Sequence, residues 1–336
     1  MAHNPSHERY DGLRPEPDPG RATIVTLTMN PALDITTDAE MIGPTDKIRC
    51  GTPRYDPGGG GINVARVAHV LGGSVLAVFP AGGPTGGQIS DLLREAGVAF
   101  HRVKIASSTR ESFTVNEHSS RRQYRFVLPG PRLSLAEQLQ CLDQLRQAAL
   151  TAEYVVASGS LPPGVAPNFY QQVADICHHL GVPLVLDTSG GGLTHIDSGV
   201  FVLKPSLREL RELSGRDLVT EREQVRAARD LVDRGVAQAV VVSMGADGAF
   251  LVTGRNCQRF RAIAMESGSG VGAGDAMVAA ITLGLTRGWP LSTSVRYGTA
   301  AGAAMLLTPG TAACNRTDVQ QFYSLSTEPE EIQPDR

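Results

Sequence analysis

Continuous apolar runs rich in β-branched residues recur along this chain, separated by longer stretches with helical spacing. That alternation restricts the fold more than any other feature. The runs are TIVTLTM (23–29), VLAVFPAGG (75–83), YVVASGS (154–160), PLVLDTS (183–189), VFVLKPS (200–206) and AVVVSMG (239–245). Strands without polar alternation are buried on both faces, which calls for helices above and below a mainly parallel sheet. INVARVAHVLGG (62–73) and QISDLLREAGV (88–98) supply helices of that kind. Open α/β sheets bind ligands beyond the carboxyl ends of their strands. Here those ends carry Gly, Ser, Asp, Lys or Thr, so chemistry is expected along one edge.

Two segments break the pattern, residues 34–57 and ESFTVNEHSSRRQYRFVLPG (111–130). Both alternate with period two. The second reads as a hairpin, with Phe113 and Val115 on one arm and Tyr124, Phe126 and Leu128 on the other. Together they are expected to form a small sheet, a lid, over the crevice, from about 34–57 and 109–130. Its exposed apolar face would be buried by pairing two lids in a homodimer.

A formal net charge of −3 with no Lys/Arg block argues against nucleic acid as a partner. No apolar run approaches the roughly 20 residues that span a bilayer, so no membrane role is expected. Residues 1–22 lack the apolar core of a signal peptide and read as a disordered extension. The cysteines (Cys50, Cys141, Cys177, Cys257, Cys314) are scattered and odd in number, which suits a reduced, cytoplasmic protein without a disulfide frame or zinc site.

Three glycine-rich stretches carry the chemistry. In SGSGVGAGDA (267–276) a helix follows, so Gly272, Ala273 and Gly274 lie at its N-terminus. Unpaired amides and the positive dipole end make an anion site there, and bare glycine backbone lets a phosphate approach. Asp275 beside it can take the proton of an attacking hydroxyl, although an aspartate capping an ordinary helix fits the same ten residues. In PGGGGINVAR (57–66) the glycines again precede a helix, and Asn63 with Asp34 could grip a polyol. VVVSMGADGAFLV (240–252) is strand, turn and strand, where Gly245 and Gly248 suit either a nucleotide or a plain hairpin. Neither a P-loop nor a dinucleotide fingerprint occurs.

These stretches, in this order, resemble the ribokinase-like, phosphofructokinase-B-type family of sugar kinases over about Thr23 to Leu325. TLTMNPALD, DPGGGGINVARVAHVLGGS, FPAGGPTG, QYRFVLPG, SGSLPPGV, VGAGDAMVAA and GTAAGAAMLLTPGT are similar to segments of the family's bacterial 6-phosphofructokinases. The resemblance implies a three-layer α/β/α kinase domain over 23–325 with a β-sheet lid, dimeric through its lids, and a disordered tail over 326–336. It implies ATP- and magnesium-dependent phosphorylation of fructose 6-phosphate at C1. Asp275 is then the catalytic base and Gly272, Ala273 and Gly274 the anion hole. Asp34, Gly59, Gly60 and Asn63 hold the sugar, with Arg110 on its phosphate and Ser160 at the same end. Lys204, Ser206 and Glu209 handle nucleotide phosphates, Glu209 meeting magnesium through water. Ser243, Gly245 and Gly248 form the nucleotide loop, with Thr299 and Ala303 near the adenine. Ser269, Val271, Met305, Thr308, Gly310 and Ala312 align with a monovalent-cation site suited to K⁺. Lys47 resembles a lysine linked to a second, inhibitory ATP.

A sugar phosphate brings about −1.5 to −2 charges, which favours Arg and Lys, and Lys47, Arg49 and Arg110 lie in or beside the proposed lid. Ser206 stands where the family usually has Asn, and Ser269–Gly270 replace its commoner pair. Two alternatives remain within the class, a tagatose-6-phosphate kinase and a 1-phosphofructokinase. From another class, a non-catalytic sugar-phosphate or nucleotide binder would keep the glycine loops but has no need of Asp275.

Overall fold

A computed structural model describes residues 22–44, 47–263, 270–308, 310 and 312–332. The N-terminal extension up to residue 21 and the cation-site candidate Ser269 lie outside the described residues. The apolar runs form β1 (Ile24–Leu27), β4 (Val75–Ala81), β5 (Ala99–Lys104), β8 (Tyr154–Ser158), β9 (Leu184–Asp187), β10 (Val200–Leu203) and β11 (Ala237–Ser243). They pair in parallel in the spatial order β5-β4-β1-β8-β9-β10-β11. Strands β12 (Ala249–Thr253), β13 (Cys257–Phe260) and β14 (Glu330–Glu331) extend the β11 edge antiparallel. From β1 the chain first winds outward to β5, then returns to β8 and winds the other way. The crevice between the carboxyl ends of β1 and β8 is therefore a topological switch point.

Side chains alternate across this sheet into two cores. On one face Ile24, Val156 and Val202 pack beneath α1 (Gly60–Val70), α2 (Gly83–Glu95), α8 (Ala273–Thr286), α9 (Leu291–Met305) and α10 (Arg316–Leu325). On the other, Val25, Leu27, Val155 and Val240 pack beneath α3 (Leu135–Ala149), α4 (Phe169–Leu180) and α7 (Glu221–Asp233). Local chemistry sets several boundaries. Helices α3, α6 (Leu207–Ser214) and α7 begin with capping boxes, Ser134/Glu137, Ser206/Glu209 and Thr220/Glu223. Helices α4 and α6 end at left-handed glycines, Gly181 and Gly215.

The two period-two segments build a separate four-stranded sheet in the order β3-β2-β6-β7, from β2 (Ala32–Ala39), β3 (Arg54–Gly58), β6 (Arg110–Glu117) and β7 (Arg122–Val127). Strands β6 and β7 pair Phe113 with Phe126 and Val115 with Tyr124, as hairpin alternation requires. One expectation needs correction. The segment after Leu325, read as a disordered tail, folds back through residue 332, and β14 pairs Glu331 with Gln258 and Glu330 with Arg259. Two glutamates in a polar stretch carry no strand signal of their own; an open neighbouring strand edge supplies it.

Candidate active site

A cleft of about 430 Å³ opens at the switch point, between the strand ends of the large sheet and the inner face of the small one. Its floor centres on Asp275, in the first turn of α8, just after Gly272, whose φ of 77° caps the helix in a conformation that suits glycine. The Asn63 amide, in the first turn of α1, donates to Asp275 Oδ2 at 2.9 Å. The Ser158 hydroxyl, at the end of β8, donates to Asp275 Oδ1 at 3.4 Å. At the next strand ends, Lys204 Nζ lies 3.2 Å from Asp187 Oδ1, and that lysine is almost wholly buried.

These charges perturb one another. Burial pushes the Asp275 carboxyl up to about 7, and the negative charge of Asp187 adds to the rise; Asn63, Lys204 and Ser158 oppose it. Asp187 is also raised, by burial foremost and by the charge of Glu209, against the pull of Lys204. A carboxyl poised near neutrality, with Oδ2 held closely by Asn63 and Oδ1 more loosely by Ser158, is oriented as a general base requires. Helix α8 begins beside it. The Ala273 amide donates to the Gly270 carbonyl at 3.3 Å, while the Gly274 and Asp275 amides have no acceptor among the described residues.

Opposite the floor, the small sheet presents Asp34, Arg110, Ser112 and Arg125. The Arg110 guanidinium donates to the Asn30 carbonyl at 3.0 Å and to the Leu128 carbonyl at 3.1 Å. Burial lowers its pKa, and nearby Asp34 partly restores it. Among the buried atoms of described residues without a hydrogen-bond partner are two that belong to cleft-lining side chains, Arg110 Nε and Asn63 Oδ1. One is a charged donor by the small sheet and the other an acceptor on the floor, so a ligand with phosphate at one end and hydroxyls at the other satisfies both.

The remaining predicted residues are placed as follows. Gly59 and Gly60 line the cleft, as do Glu209 and Val271. Glu209 Oε2 accepts from the Ser206 amide and hydroxyl, at 2.8 and 2.7 Å, so one oxygen is held by the helix cap. Asp187 and Glu209 thus place two carboxylates on one wall, a donor set that suits magnesium shared with nucleotide phosphates. Ser243 lies beside Ser206, its amide donating to the Pro205 carbonyl at 3.0 Å. Gly245 and Gly248 form the turn from β11 to β12, with φ of 59° and 89°. Thr299 and Ala303 are on α9, outside the cleft lining. Ser160 accepts from the Asn30 side chain at 3.1 Å and does not line the cleft. Lys47 and Arg49 are exposed between β2 and β3, also off the lining. Met305 lies against Gly272, where an added Cβ would meet its methyl at 3.1 Å, and Thr308 follows α9, its hydroxyl donating to the Ala304 carbonyl at 3.4 Å. Gly310 abuts Thr36, and Ala312 is half-buried nearby in sequence.

Sequence reasoning missed Ser158, Asp187, Ser112 and Arg125. The first two had a signal, since each ends a strand that points at the expected edge. Ser112 and Arg125 had a weaker one, lying at the polar positions between the apolar ones of the hairpin.

Comparison with known proteins gives a consistent result. The model of the pfkB family of carbohydrate kinases matches residues 27–318. "ATP-dependent 6-phosphofructokinase isozyme 2" of Mycobacterium tuberculosis (strain H37Rv) is 65% identical over 319 residues, 95% of this chain and 94% of that protein. Phosphofructokinase-2 from Escherichia coli is similar in structure as well, each comparison covering 90% of this chain and 99% of that one. Its complex with potassium superposes with a TM-score of 0.87 at 40% identity, and its complex with fructose-6-phosphate with 0.85 at 38%. Its tetrameric inhibited form gives 0.85 at 39%.

Proposed function

We propose that this chain, which belongs to the pfkB family of carbohydrate kinases, transfers the terminal phosphoryl group of ATP to the C1 hydroxyl of fructose 6-phosphate. The observation that carries this reading is the floor of the cleft, where Asn63 and Ser158 hold the Asp275 carboxylate at the open N-terminus of α8. In this reading the sugar lies across Gly59, Gly60 and Asn63, its phosphate against Arg110 and Arg125. Asp275 takes the proton of the C1 hydroxyl as the oxygen attacks. Bound Asn63 keeps the second carboxylate oxygen fixed, so the free lone pairs face the alcohol. The amides from Gly272 to Gly274 receive the negative charge of the transferring group, which is spread over its equatorial oxygens in a loose transition state. Lys204, tied to Asp187, brings positive charge to the same end of α8, its Nζ 3.6 Å from where a Gly274 Cβ would stand. Asp187 and Glu209 would hold magnesium, which would neutralise charge on the nucleotide phosphates when bound.

Two further assignments belong to this proposal. Val271, Met305, Thr308, Gly310 and Ala312 contribute carbonyls to a monovalent-cation site, for which the potassium complex of the E. coli protein is the support. The outer face of the small sheet pairs two copies. There Tyr55, Ile35, Phe113 and Phe126 stand in one cross-strand row, and Tyr55 and Phe126 are exposed. The apolar row is what supports a dimer as the basic unit. Phosphorylation assays with ATP and fructose 6-phosphate, tagatose 6-phosphate and fructose 1-phosphate test the substrate. The highest kcat/KM is expected on fructose 6-phosphate; preference for either other ketose phosphate overturns that choice, and no ADP release with any of them overturns the kinase reading.

A further inference from the structure

The segment after α10 lies beyond the family match, which ends at residue 318. Five of its residues between Ser326 and Ile332 are nonetheless fastened, to two anchors, Arg296 of α9 and strand β13 with its neighbour Arg261. The Arg296 guanidinium, on α9, stacks over Tyr323 at 4.7 Å, donates from Nε to Ser326 Oγ at 2.9 Å, and pairs with Glu328. Strand β14 then pairs with β13, the Ile332 amide donating to the Cys257 carbonyl at 2.8 Å. Beside it Arg261 pairs with Glu330 at 2.7 Å, and the Gln258 amide donates to Glu331 at 2.6 Å. Ile332 packs on the same core cluster as Met244.

Both anchors lead to the walls assigned above to nucleotide. One turn beyond Arg296 on α9 is Thr299, whose hydroxyl bonds the Arg296 carbonyl at 2.7 Å, and Ala303 follows. The second anchor, β13, ends in backbone against which Gly248 is pressed: a Cβ there would sit 2.1 Å from the Phe260 carbonyl oxygen and 2.7 Å from the Ala262 nitrogen. A guanidinium of the same strand, Arg259, also donates to Met244 Sδ at 3.6 Å, immediately before Gly245. Helix α9 and strand β12, which leaves the turn, already share one core cluster through Ala300, Ala303, Ala249 and Leu251. Residues 326–332 add a second tie between the two walls.

We propose that residues 326–332 are a clasp that sets the spacing of α9 and the β11–β12 turn, and so positions the site for a nucleoside triphosphate without touching it. The proposal rests on the kinase reading for the identity of that nucleotide. Segments remote from the chemistry act in this way when they fix the geometry of walls that the ligand bridges.

The test compares the full chain with two variants: a chain ending at Leu325, and the full chain carrying Glu328→Gln and Glu330→Gln. ATP and fructose 6-phosphate are each varied at saturating levels of the other, ATP affinity is measured calorimetrically without sugar, and Trp289 fluorescence is recorded. The lone tryptophan stacks on Tyr323 with centroids 6.3 Å apart, so its emission reports whether the clasp is seated. The expected result is a rise in KM and Kd for ATP of about tenfold on truncation and about threefold in the double variant, with KM for fructose 6-phosphate within about twofold of normal. If either folded variant melts earlier but keeps its ATP affinity, the segment is only a stabilising cap and the proposal falls. An equal rise for both substrates also overturns it. Should truncation prevent folding, the double variant decides. Failure of the unaltered chain to phosphorylate any ketose phosphate would defeat the kinase reading instead, and the calorimetric comparison would still judge the clasp.

Discussion

Helices α1 and α8 both begin in glycine, but for opposite reasons. At α1 the glycines are where they are because the neighbours leave no room. A Cβ on Gly60 would lie 2.3 Å from Ser158 Oγ and 2.7 Å from the Gly159 nitrogen, and one on Gly61 would lie 2.6 Å from the Leu27 carbonyl oxygen. The helix start is driven into the ends of β1 and β8, which places Asn63 on Asp275. At α8 the space is open. A Cβ on Gly270 would meet nothing within 4 Å, and one on Gly274 nothing nearer than Lys204 Nζ at 3.6 Å. There the missing side chains leave amides facing the cleft. Glycine at the first site serves packing, and at the second it serves access. The same composition thus has two physical meanings, and substitutions should separate them.

The largest effect is expected at the acid that both helices share. Asp275→Asn should lower kcat by about 10²-fold or more, since a positioned base contributes on that scale. It should also raise Tm at pH 8. The folded carboxyl titrates at about 7, above its ordinary value, so its stabilising contribution is present in acid and is lost as pH rises through about 7. An amide carries no such charge. A variant with normal turnover would break the comparison at its centre. Next, Gly60→Ala should destabilise the fold by about 2 kcal/mol in urea denaturation, the usual scale of overpacking against backbone. A fully stable Gly60→Ala would show that α1 is not held as described. Smaller, and opposite in kind, Gly274→Ala should lower kcat by about tenfold while leaving stability unchanged or about 0.5–1 kcal/mol higher, as for any helical glycine replaced without a clash. If it instead unfolds the chain, access is not the reason for that glycine. The mildest signal is the pH profile: kcat/KM at about pH 7 should be near half its alkaline plateau and fall below that, in the parent and in Gly274→Ala alike.

Much of the molecule was legible in the sequence, and what was not follows a pattern. Two-sided burial of strands such as AVVVSMG announces a covered parallel sheet, because unbroken apolarity suits no other strand environment. The hairpin at 110–127 was legible from period two, and the positive φ at Gly245 and Gly248 from glycine spacing. Asp187 was visible as the end of a strand but not as the neighbour of Lys204, since nothing local tells that β9 and β10 lie side by side. Arg125 stands between Tyr124 and Phe126 on the hairpin arm, at a polar position that alternation alone assigns equally to solvent or to a cleft. Lys47 and Arg49 read as substrate ligands because of their charge and nearness to the small sheet, yet in this chain they stand exposed away from the cleft. Residues 326–332 were misread because their order comes from partners, Arg296 and β13, that precede them by dozens of positions.

From its own residues the sequence determined the classes of element, the edge on which chemistry collects, and the pairing of one acid with a bare helix start. Those depend on periodicity, propensity and backbone freedom, which act over a few neighbouring residues. Only the tertiary structure decided which side chains meet: Asn63 with Asp275 across 212 positions, Lys204 with Asp187, Arg296 with Glu328. Such contacts depend on the order in which strands assemble, and the value near 7 for Asp275 depends on them in turn, because burial and a neighbouring charge exist for it only once the chain has folded.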